Sequence, residues 1–179
     1  MKKSYLYGII IMLILMNGIL LYQNYNLKKS RRTENVKNIR IPDVDLFDLD
    51  GHKTNLREFA GGSPLSFIVI FSPTDCGVCL SERVLWEEVR SRYQINLLGV
   101  ASHPDKRELI QWIKNHRLSI PVVWDSAGLL RDALEVESSP LKLLVNSKGS
   151  VIWTDPARLS KEERVNFWQE LENVFKGFD

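Results

Sequence analysis

The sequence predicts one α/β domain behind an N-terminal membrane helix. Predicted strands and helices alternate from residue 41 onward, which is typical of a sheet that carries helices on its faces. Two late strands, Leu141–Val145 and Ser150–Thr154, are separated by a short loop that favours an antiparallel hairpin. In a chain of 179 residues we therefore expect one mixed central sheet flanked by helices.

The first half of the domain begins with apolar residues that alternate with aspartates up to the turn Asp50-Gly51. This pattern predicts an N-terminal hairpin whose second arm continues through Lys53–Phe59. Leu65–Phe71 is a nearly continuous apolar run, which predicts a central strand buried on both faces. A helix should follow residue 79 and bury the residues that recur at helical spacing: Leu80, Val84, Leu85 and Val89.

The second half repeats the alternation. A strand is predicted at Ile95–Ala101 and a shorter one at 122–124, each followed by a helix. The C-terminal helix is predicted to begin at Ser160, because Ser160 and Glu163 match a capping box. Its apolar face should contain four residues: Val165, Trp168, Leu171 and Phe175.

Residues 5–22 contain no charged side chain. As a helix rising about 1.5 Å per residue, they would span roughly 27 Å, close to the hydrocarbon thickness of a bilayer. A cleaved signal peptide is the alternative, but no small-x-small cleavage site follows the apolar run. We predict an uncleaved, single-pass membrane anchor at 1–22, a polar tether at 23–40 and the folded domain at 41–179.

The two cysteines, Cys76 and Cys79, lie where the predicted central strand gives way to a helix. The first cysteine would meet unpaired backbone N–H groups and the positive end of the helix dipole, which favour its thiolate. The second would lie one turn further on, buried, within reach of the first sulfur. This spacing predicts a redox pair in which Cys76 attacks a substrate disulfide and Cys79 resolves the mixed disulfide.

Other uses of the pair are less well supported. The chain has no further cysteine, and His52, His103 and His116 are scattered without ligand spacing, so neither a metal nor another cofactor is predicted. A purely structural link would close a very short loop and stabilise little. The net charge of +2 is spread along the chain, so no nucleic-acid partner is predicted either.

The orientation of the anchor rests on two opposing arguments. Lys2 and Lys3 precede the apolar run, whereas four basic residues follow it, so the positive-inside rule slightly favours a cytoplasmic domain. A cysteine pair used for disulfide exchange makes most sense outside the reducing cytosol. We predict a domain held at the cell membrane on its extracytoplasmic side.

Three features give the chain a family resemblance: the hairpin turn at Asp50-Gly51, the strand leading into Cys76-Gly-Val-Cys79, and Ser139-Pro140 before a hairpin. Together they resemble the thioredoxin superfamily, and most closely its TlpA/ResA group of membrane-anchored thiol-disulfide oxidoreductases, which is related to the AhpC/TSA redoxins. The resemblance implies a thioredoxin-like fold, with Pro140 in cis facing the cysteines and Ser139-Pro140 binding a substrate chain. A strand-entry proline in trans is the alternative.

Glu82 matches a further element of that group, a glutamate three residues beyond the second cysteine. On a helix this spacing places its carboxylate on the same face as Cys79, so the resemblance implies that Glu82 takes the proton from Cys79. The alternative is a surface glutamate in the first turns of a helix.

The chain also departs from the group. Asp75 and Val78 stand where tryptophan and proline are common, and Ile70 occupies the position of the buried acid of thioredoxins. Asp75 is either a helix N-cap or a charge that raises the pKa of the Cys76 thiol. We hypothesise the second role, which would make the protein a better reductant.

The resemblance implies a protein substrate containing a disulfide or a dithiol, and a membrane or periplasmic electron donor. Proteins of this build serve cytochrome c biogenesis, maturation of cysteine-rich enzymes or general disulfide repair. A peroxiredoxin-like peroxidase is one alternative. Such enzymes carry a Pro-x-x-x-Thr-x-x-Cys pattern, but here Cys76 occupies the threonine position relative to Cys79, and Pro73 is one residue too close. The other is a non-catalytic thioredoxin-like binding module at the membrane, which retention of both cysteines disfavours.

Overall fold

The computed structural model describes residues 7, 12–23, 39–75, 77–136, 139–156 and 161–177, without the side chains of residues 75, 161 and 162. The chain divides into two units, Met1–Lys37 and Asn38–Asp179. In the first unit, residues 12–23 form helix α1. No helix within the described ranges is long and apolar enough to cross a membrane, and the predicted anchor at 1–22 lies partly outside those ranges.

The second unit is built on a mixed β-sheet. Its described strands are β1 (Leu46–Asp48), β2 (Lys53–Thr54), β3 (Leu65–Phe71), β4 (Asn96–Ser102), β5 (Val122–Asp125), β6 (Leu141–Asn146) and β7 (Val151–Asp155). Their order across the sheet is β2-β1-β5-β4-β3-β6-β7. Strand β4 runs parallel to β3 and β5, whereas the other neighbours pair antiparallel. The predicted mixed sheet and C-terminal hairpin are confirmed.

The helices of this unit are α2 (Leu56–Gly61), α3 (Gly77–Tyr93), α4 (Lys106–Asn115), α5 (Leu129–Ala133) and α6 (Lys161–Lys176), with a short 3₁₀ helix at Pro73–Asp75. Helix α2 corrects the sequence prediction, because the second arm of the N-terminal hairpin ends after two residues. The side chain of Asn55 accepts a hydrogen bond from the backbone N–H of Arg57 and thereby caps a helix where a strand was predicted.

Strand β3 carries the core, since all seven of its residues are buried. Successive side chains of a strand point to opposite faces of the sheet, so β3 contributes to two hydrophobic clusters. Phe67, Val69 and Phe71 pack in one cluster with Trp86 of α3 and Phe167 of α6. Ile68 and Ile70 pack in the other, on the side of α2 and α5. The predicted central strand is therefore confirmed.

The buried faces of two helices differ from their predictions. In α3, Val84 is 61% exposed and Leu80 is also exposed, whereas Glu82 and Trp86 are buried. The buried face follows the three- and four-residue spacing that starts at Cys79, and Leu80 and Val84 lie off that line. In α6, Leu171 is buried as predicted, but Phe167 also enters the core and Val165 is exposed. The predicted capping residue Ser160 lies outside the described residues.

Candidate redox site

The first part of the site is the junction between β3 and α3. Strand β3 ends at Phe71, a 3₁₀ turn occupies Pro73–Asp75, and α3 begins at Gly77. Cys79 therefore lies in the first turn of α3, where it is buried and disulfide-bonded. Cys76 and the side chain of Asp75 lie outside the described residues, and the roles of both stay predictions.

A second segment of the chain, the one that enters β6, approaches Cys79 through Ser139. Its hydroxyl oxygen lies 3.8 Å from Cys79 Sγ and accepts a hydrogen bond from the Ser72 backbone N–H at 2.9 Å. Ser139 thus joins the end of β3 to the segment that enters β6, directly beside the buried sulfur. The Ser139–Pro140 peptide bond is cis, as the resemblance implies, and the alternative of a trans proline is wrong. Substrate binding by Ser139 and Pro140 stays a prediction.

Glu82 lies one turn after Cys79 on α3 and is fully buried. The alternative of a surface glutamate is therefore wrong, and the three-residue spacing does place both side chains on the inner face of the helix. Its carboxylate oxygen Oε2 accepts a hydrogen bond from Lys142 Nζ at 2.6 Å. Whether Glu82 accepts a proton from Cys79 stays a prediction.

Lys142 projects from β6 and its side chain is fully buried. Besides Glu82, its ammonium contacts Asp155 Oδ2 at 3.0 Å and donates to the backbone carbonyl of Pro156 at 2.7 Å. Two of the three N–H donors of the ammonium are thus bonded to Glu82 and Pro156, whereas the contact with Asp155 Oδ2 is an ion pair without hydrogen-bond geometry. The ring of Phe167 on α6 lies 5.9 Å from Nζ and helps to cover it. Glu82, Lys142 and Asp155 form one group, called here the buried charge cluster.

Lys142 and Asp155 were not among the predicted site residues. One signal was available: Lys142 interrupts the apolar strand Leu141–Val145, and a lysine inside a buried strand needs a partner. Finding that partner required the register of the hairpin, in which Lys142 lies directly opposite Asp155 across β6 and β7. The sequence predicted the hairpin but not its register.

Among the described residues, one group has the composition of a cation site. Ligand atoms of Asp48, Asp50 and His52 lie within 4.8 Å of one another at the N-terminal hairpin turn. Asp48 Oδ1 already accepts three backbone N–H groups there, and Oδ2 contacts the His52 ring at 2.9 Å. The backbone N–H of His52, followed by its ring, lowers the pKa of Asp48 to about 2. The geometry is that of a capped turn, and the group carries no metal assignment.

The chain is similar to known thiol-disulfide oxidoreductases. It is 26% identical to the thiol-disulfide oxidoreductase ResA of Bacillus cereus over 175 residues, which cover 95% of this chain and 98% of that protein. The ResA protein of Bacillus thuringiensis subsp. konkukian matches equally well, at 26% identity over the same length. These relatives have the activity that the sequence analysis predicts for this chain.

Solved structures agree on the fold. A protein described as the thiol:disulfide interchange protein DsbE of Chlorobium tepidum superimposes with a TM-score of 0.64 at 16% identity, over 76% of this chain and 96% of that one. The exposed lipoprotein thioredoxin Etrx1 of Streptococcus pneumoniae gives 0.57 at 21% identity, over 72% and 99%. The AhpC/TSA family model matches residues 38–154. The chain therefore belongs to the AhpC/TSA family and has the thioredoxin-like fold that its sequence predicts.

Proposed function

We propose that this protein reduces disulfides of extracytoplasmic proteins by thiol-disulfide exchange through Cys76 and Cys79. The observation that carries the proposal is the disulfide-bonded Cys79, buried in the first turn of α3 with the Ser139 hydroxyl 3.8 Å from its sulfur. A cysteine at the start of a helix, three residues after another, is the arrangement in which exchange requires no further cofactor.

The reaction transfers two electrons from the dithiol to the substrate. The Cys76 thiolate attacks one sulfur of the substrate disulfide, so a Cys76–substrate bond forms and the first substrate thiolate leaves. Cys79 loses its proton, its thiolate attacks the Cys76 sulfur, and the second substrate thiolate leaves. The products are the Cys76–Cys79 disulfide and a substrate dithiol, which takes up two protons. A membrane or periplasmic dithiol donor then reduces the pair again.

Other side chains serve this reaction in separate roles. Glu82, buried on the same helix face as Cys79, accepts the Cys79 proton before resolution. Ser139 and Pro140 bind the substrate chain beside the sulfurs. Asp75 opposes ionisation of Cys76, so Asp75→Asn should lower the thiol pKa and make the reduction potential less negative by up to about 20 mV, the equivalent of about 1 kcal/mol for two electrons.

The proposal is tested by paired activity assays on the purified full chain. With a dithiol as electron source, the wild type should reduce a protein disulfide and show no comparable consumption of hydrogen peroxide. Cys76→Ser should abolish disulfide reduction. Peroxide turnover that exceeds disulfide reduction would instead establish the peroxidase alternative, and disulfide reduction that persists in Cys76→Ser would overturn the proposed pair. Retained binding of a partner without either activity would identify a binding module.

The location of the domain is a separate part of the proposal, supported by the uncharged stretch at 5–22 and by the redox pair. Protease added to intact protoplasts should digest a domain that is anchored on the outer face of the membrane. If the domain survives until the membrane is breached, the basic residues after the apolar stretch determine the orientation and the domain is cytoplasmic.

The physiological substrate is addressed by trapping. In Cys79→Ser the mixed disulfide cannot be resolved, so the captured protein stays covalently bound to Cys76. Capture of apocytochrome c would support a role in cytochrome c biogenesis, whereas capture of many unrelated proteins would indicate general disulfide repair.

A further inference from the structure

The hydrogen bond between Ser139 and Cys79 has a defined direction. Cys79 is disulfide-bonded, so its sulfur carries no proton and is the acceptor. The Ser139 hydroxyl, whose oxygen lies 3.8 Å from that sulfur, is therefore the donor. In the oxidised protein this donor already faces the sulfur that becomes a thiolate when the disulfide is opened by attack at Cys76.

The end of β3 holds the hydroxyl in place. The Ser139 oxygen accepts a hydrogen bond from the backbone N–H of Ser72 at 2.9 Å. Ser72 is buried, and its own side chain is bonded to Thr74 Oγ1 at 2.8 Å. A hydroxyl has one O–H donor beside its acceptor lone pairs. Because the N–H of Ser72 occupies the oxygen as a donor to it, the O–H of Ser139 stays directed to the sulfur.

Cys79 is a sulfur for which such a donor matters, since the residue is only 1% exposed. Burial disfavours the charged form of a thiol, whereas a hydrogen bond to the charged form favours it. Hydrogen bonds to an ionised acceptor are also shorter and roughly twice as strong as those between neutral groups. The hydroxyl therefore stabilises the Cys79 thiolate more than it stabilises the disulfide sulfur.

We propose that the Ser139 hydroxyl is a catalytic group that stabilises the Cys79 thiolate by donating a hydrogen bond to it. The inference rests on the proposed function for the reaction steps, and it is separate from the substrate contact proposed for Ser139. Cys79 is the nucleophile when the mixed disulfide is resolved and the leaving group when a donor dithiol reduces the pair. One hydrogen bond serves both directions of the exchange.

The exchange balances without any loss of the Ser139 proton. In resolution, Cys79 gives its proton to Glu82 and its thiolate bonds to the Cys76 sulfur, while the Cys76–substrate bond breaks and the substrate thiolate takes up a proton. In regeneration, a donor thiolate bonds to Cys76 and Cys79 leaves as a thiolate. The second donor thiolate then releases Cys76, so the donor becomes a disulfide and the pair gains two electrons.

A titration of Cys79 alone tests its ionisation directly. In the full chain with Cys76→Ala, Cys79 is the only thiol, and its thiolate absorbance is followed against pH with the cysteine-free chain as the blank. Adding Ser139→Ala should move the midpoint to higher pH, so that about tenfold less thiolate is present at neutral pH. The matched control is Ser81→Ala, since Ser81 is exposed on the same helix and donates to the Val78 carbonyl. It should leave the midpoint unchanged.

The charged groups around the sulfur are the same in all these variants, so the differences between them report the hydroxyl. They come from α3, β6, β7 and the residue before Cys76: Glu82, Lys142, Asp155 and Asp75.

The direction of the shift separates this role from a structural one. Ser139→Ala also leaves the Ser72 N–H without its acceptor. If the substitution merely loosened the site, water would reach the sulfur and the midpoint would move to lower pH. Ser139→Thr and Ser139→Val form a second pair, because they have similar shapes and differ in the hydroxyl. The threonine variant should hold about tenfold more thiolate at neutral pH than the valine variant, and this pair decides the question if Ser139→Ala does not fold.

The kinetics of resolution give an independent readout. The reduced chain with both cysteines is mixed with an aromatic disulfide, which releases one coloured thiolate when Cys76 forms the mixed disulfide and a second when Cys79 resolves it. Ser139→Ala should leave the first release unchanged and slow the second about threefold at neutral pH, because tenfold less thiolate is partly offset by its higher nucleophilicity. At a pH where Cys79 is fully ionised in both proteins, the variant should instead resolve about threefold faster.

The outcomes separate this inference from the proposed function. A midpoint that stays or falls in Ser139→Ala, or second-release rates that do not cross with pH, would overturn the role of the hydroxyl and leave the Cys76–Cys79 reaction intact. Absence of a second release from the wild type would contradict the proposed function instead, and the titration of Cys79 would still decide whether Ser139 stabilises its thiolate.

Discussion

Two lysine–carboxylate pairs in this protein have the same length and opposite surroundings. Lys53 Nζ lies 2.6 Å from Asp45 Oδ1 near the N-terminal hairpin, where the two side chains are 67% and 60% exposed. Lys142 Nζ lies 2.6 Å from Glu82 Oε2 in the core, where both side chains are 0% exposed. Distance alone therefore does not distinguish a surface ion pair from a buried one.

The difference lies in the solvent around each pair. Water screens an exposed pair, and holding two long side chains together offsets much of its small attraction. Removing water from a buried pair costs several kcal/mol for each ion, and only close contact with all available donors and acceptors recovers that cost. A buried cluster is thus a weak way to stabilise a fold. Of its three members, Glu82 lies one helical turn from Cys79, and the proposed function assigns the Cys79 proton to this residue.

The largest predicted effect follows removal of the buried ammonium. Lys142→Met should lower the free energy of unfolding by about 3–5 kcal/mol, because it removes the cation that contacts two buried carboxylates. Urea denaturation at neutral pH measures this loss. A change below about 1 kcal/mol, as expected for an exposed pair, would contradict the view that burial makes the Lys142 pair matter more for stability than the Lys53 pair.

A smaller effect is expected at the exposed turn of the N-terminal hairpin. Hydrogen bonds from the His52 backbone and ring lower the pKa of Asp48 from 3.8 to about 2. A carboxylate with a lowered folded-state pKa stabilises the fold above its unfolded-state pKa, and this contribution is lost as the pH falls from about 4 to about 2. Asp48→Asn should therefore lower the melting temperature at pH 6 slightly and converge with wild type near pH 2. Equal melting temperatures at pH 6 would contradict this.

The smallest effect should come from the exposed lysine. The hydrogen bond with Asp45 is the first cause of the raised pKa of Lys53. Lys53→Met removes this interaction, but solvent replaces it. Its unfolding midpoint should match wild type within error in high salt and differ slightly, if at all, in low salt. A loss comparable to that of Lys142→Met would show that burial is not the relevant difference.

The sequence predicted the structural features that depend on local sequence pattern. The run Leu65–Phe71 identified the central strand. Cys79 was placed at the start of a helix, because a helical pattern follows closely after that strand. The short second arm of the hairpin was missed, since the capping of α2 by Asn55 outweighs the strand pattern there. The buried face of α3 was partly mistaken because the packing of Trp86 against Phe71 decides which side faces the sheet.

The buried charge cluster could not be predicted from local sequence patterns. Glu82 and Lys142 are 60 residues apart in the sequence. The α3 spacing could align Glu82 with Cys79, but only the pairing of β6 with β7 brings Asp155 to the same ammonium. A lysine within an apolar strand signals such a partner without identifying it.

The measurement that tests the central claim most directly is a redox titration of the full chain against glutathione, read as the number of alkylated thiols by mass spectrometry. If Cys76 and Cys79 form one two-electron couple, each molecule should carry either two labels or none, and the oxidised fraction should follow a single two-electron transition that disappears in Cys76→Ser. A population with one alkylated thiol and one glutathione adduct that dominates through the transition would contradict the account, because the cysteines would then be acting separately.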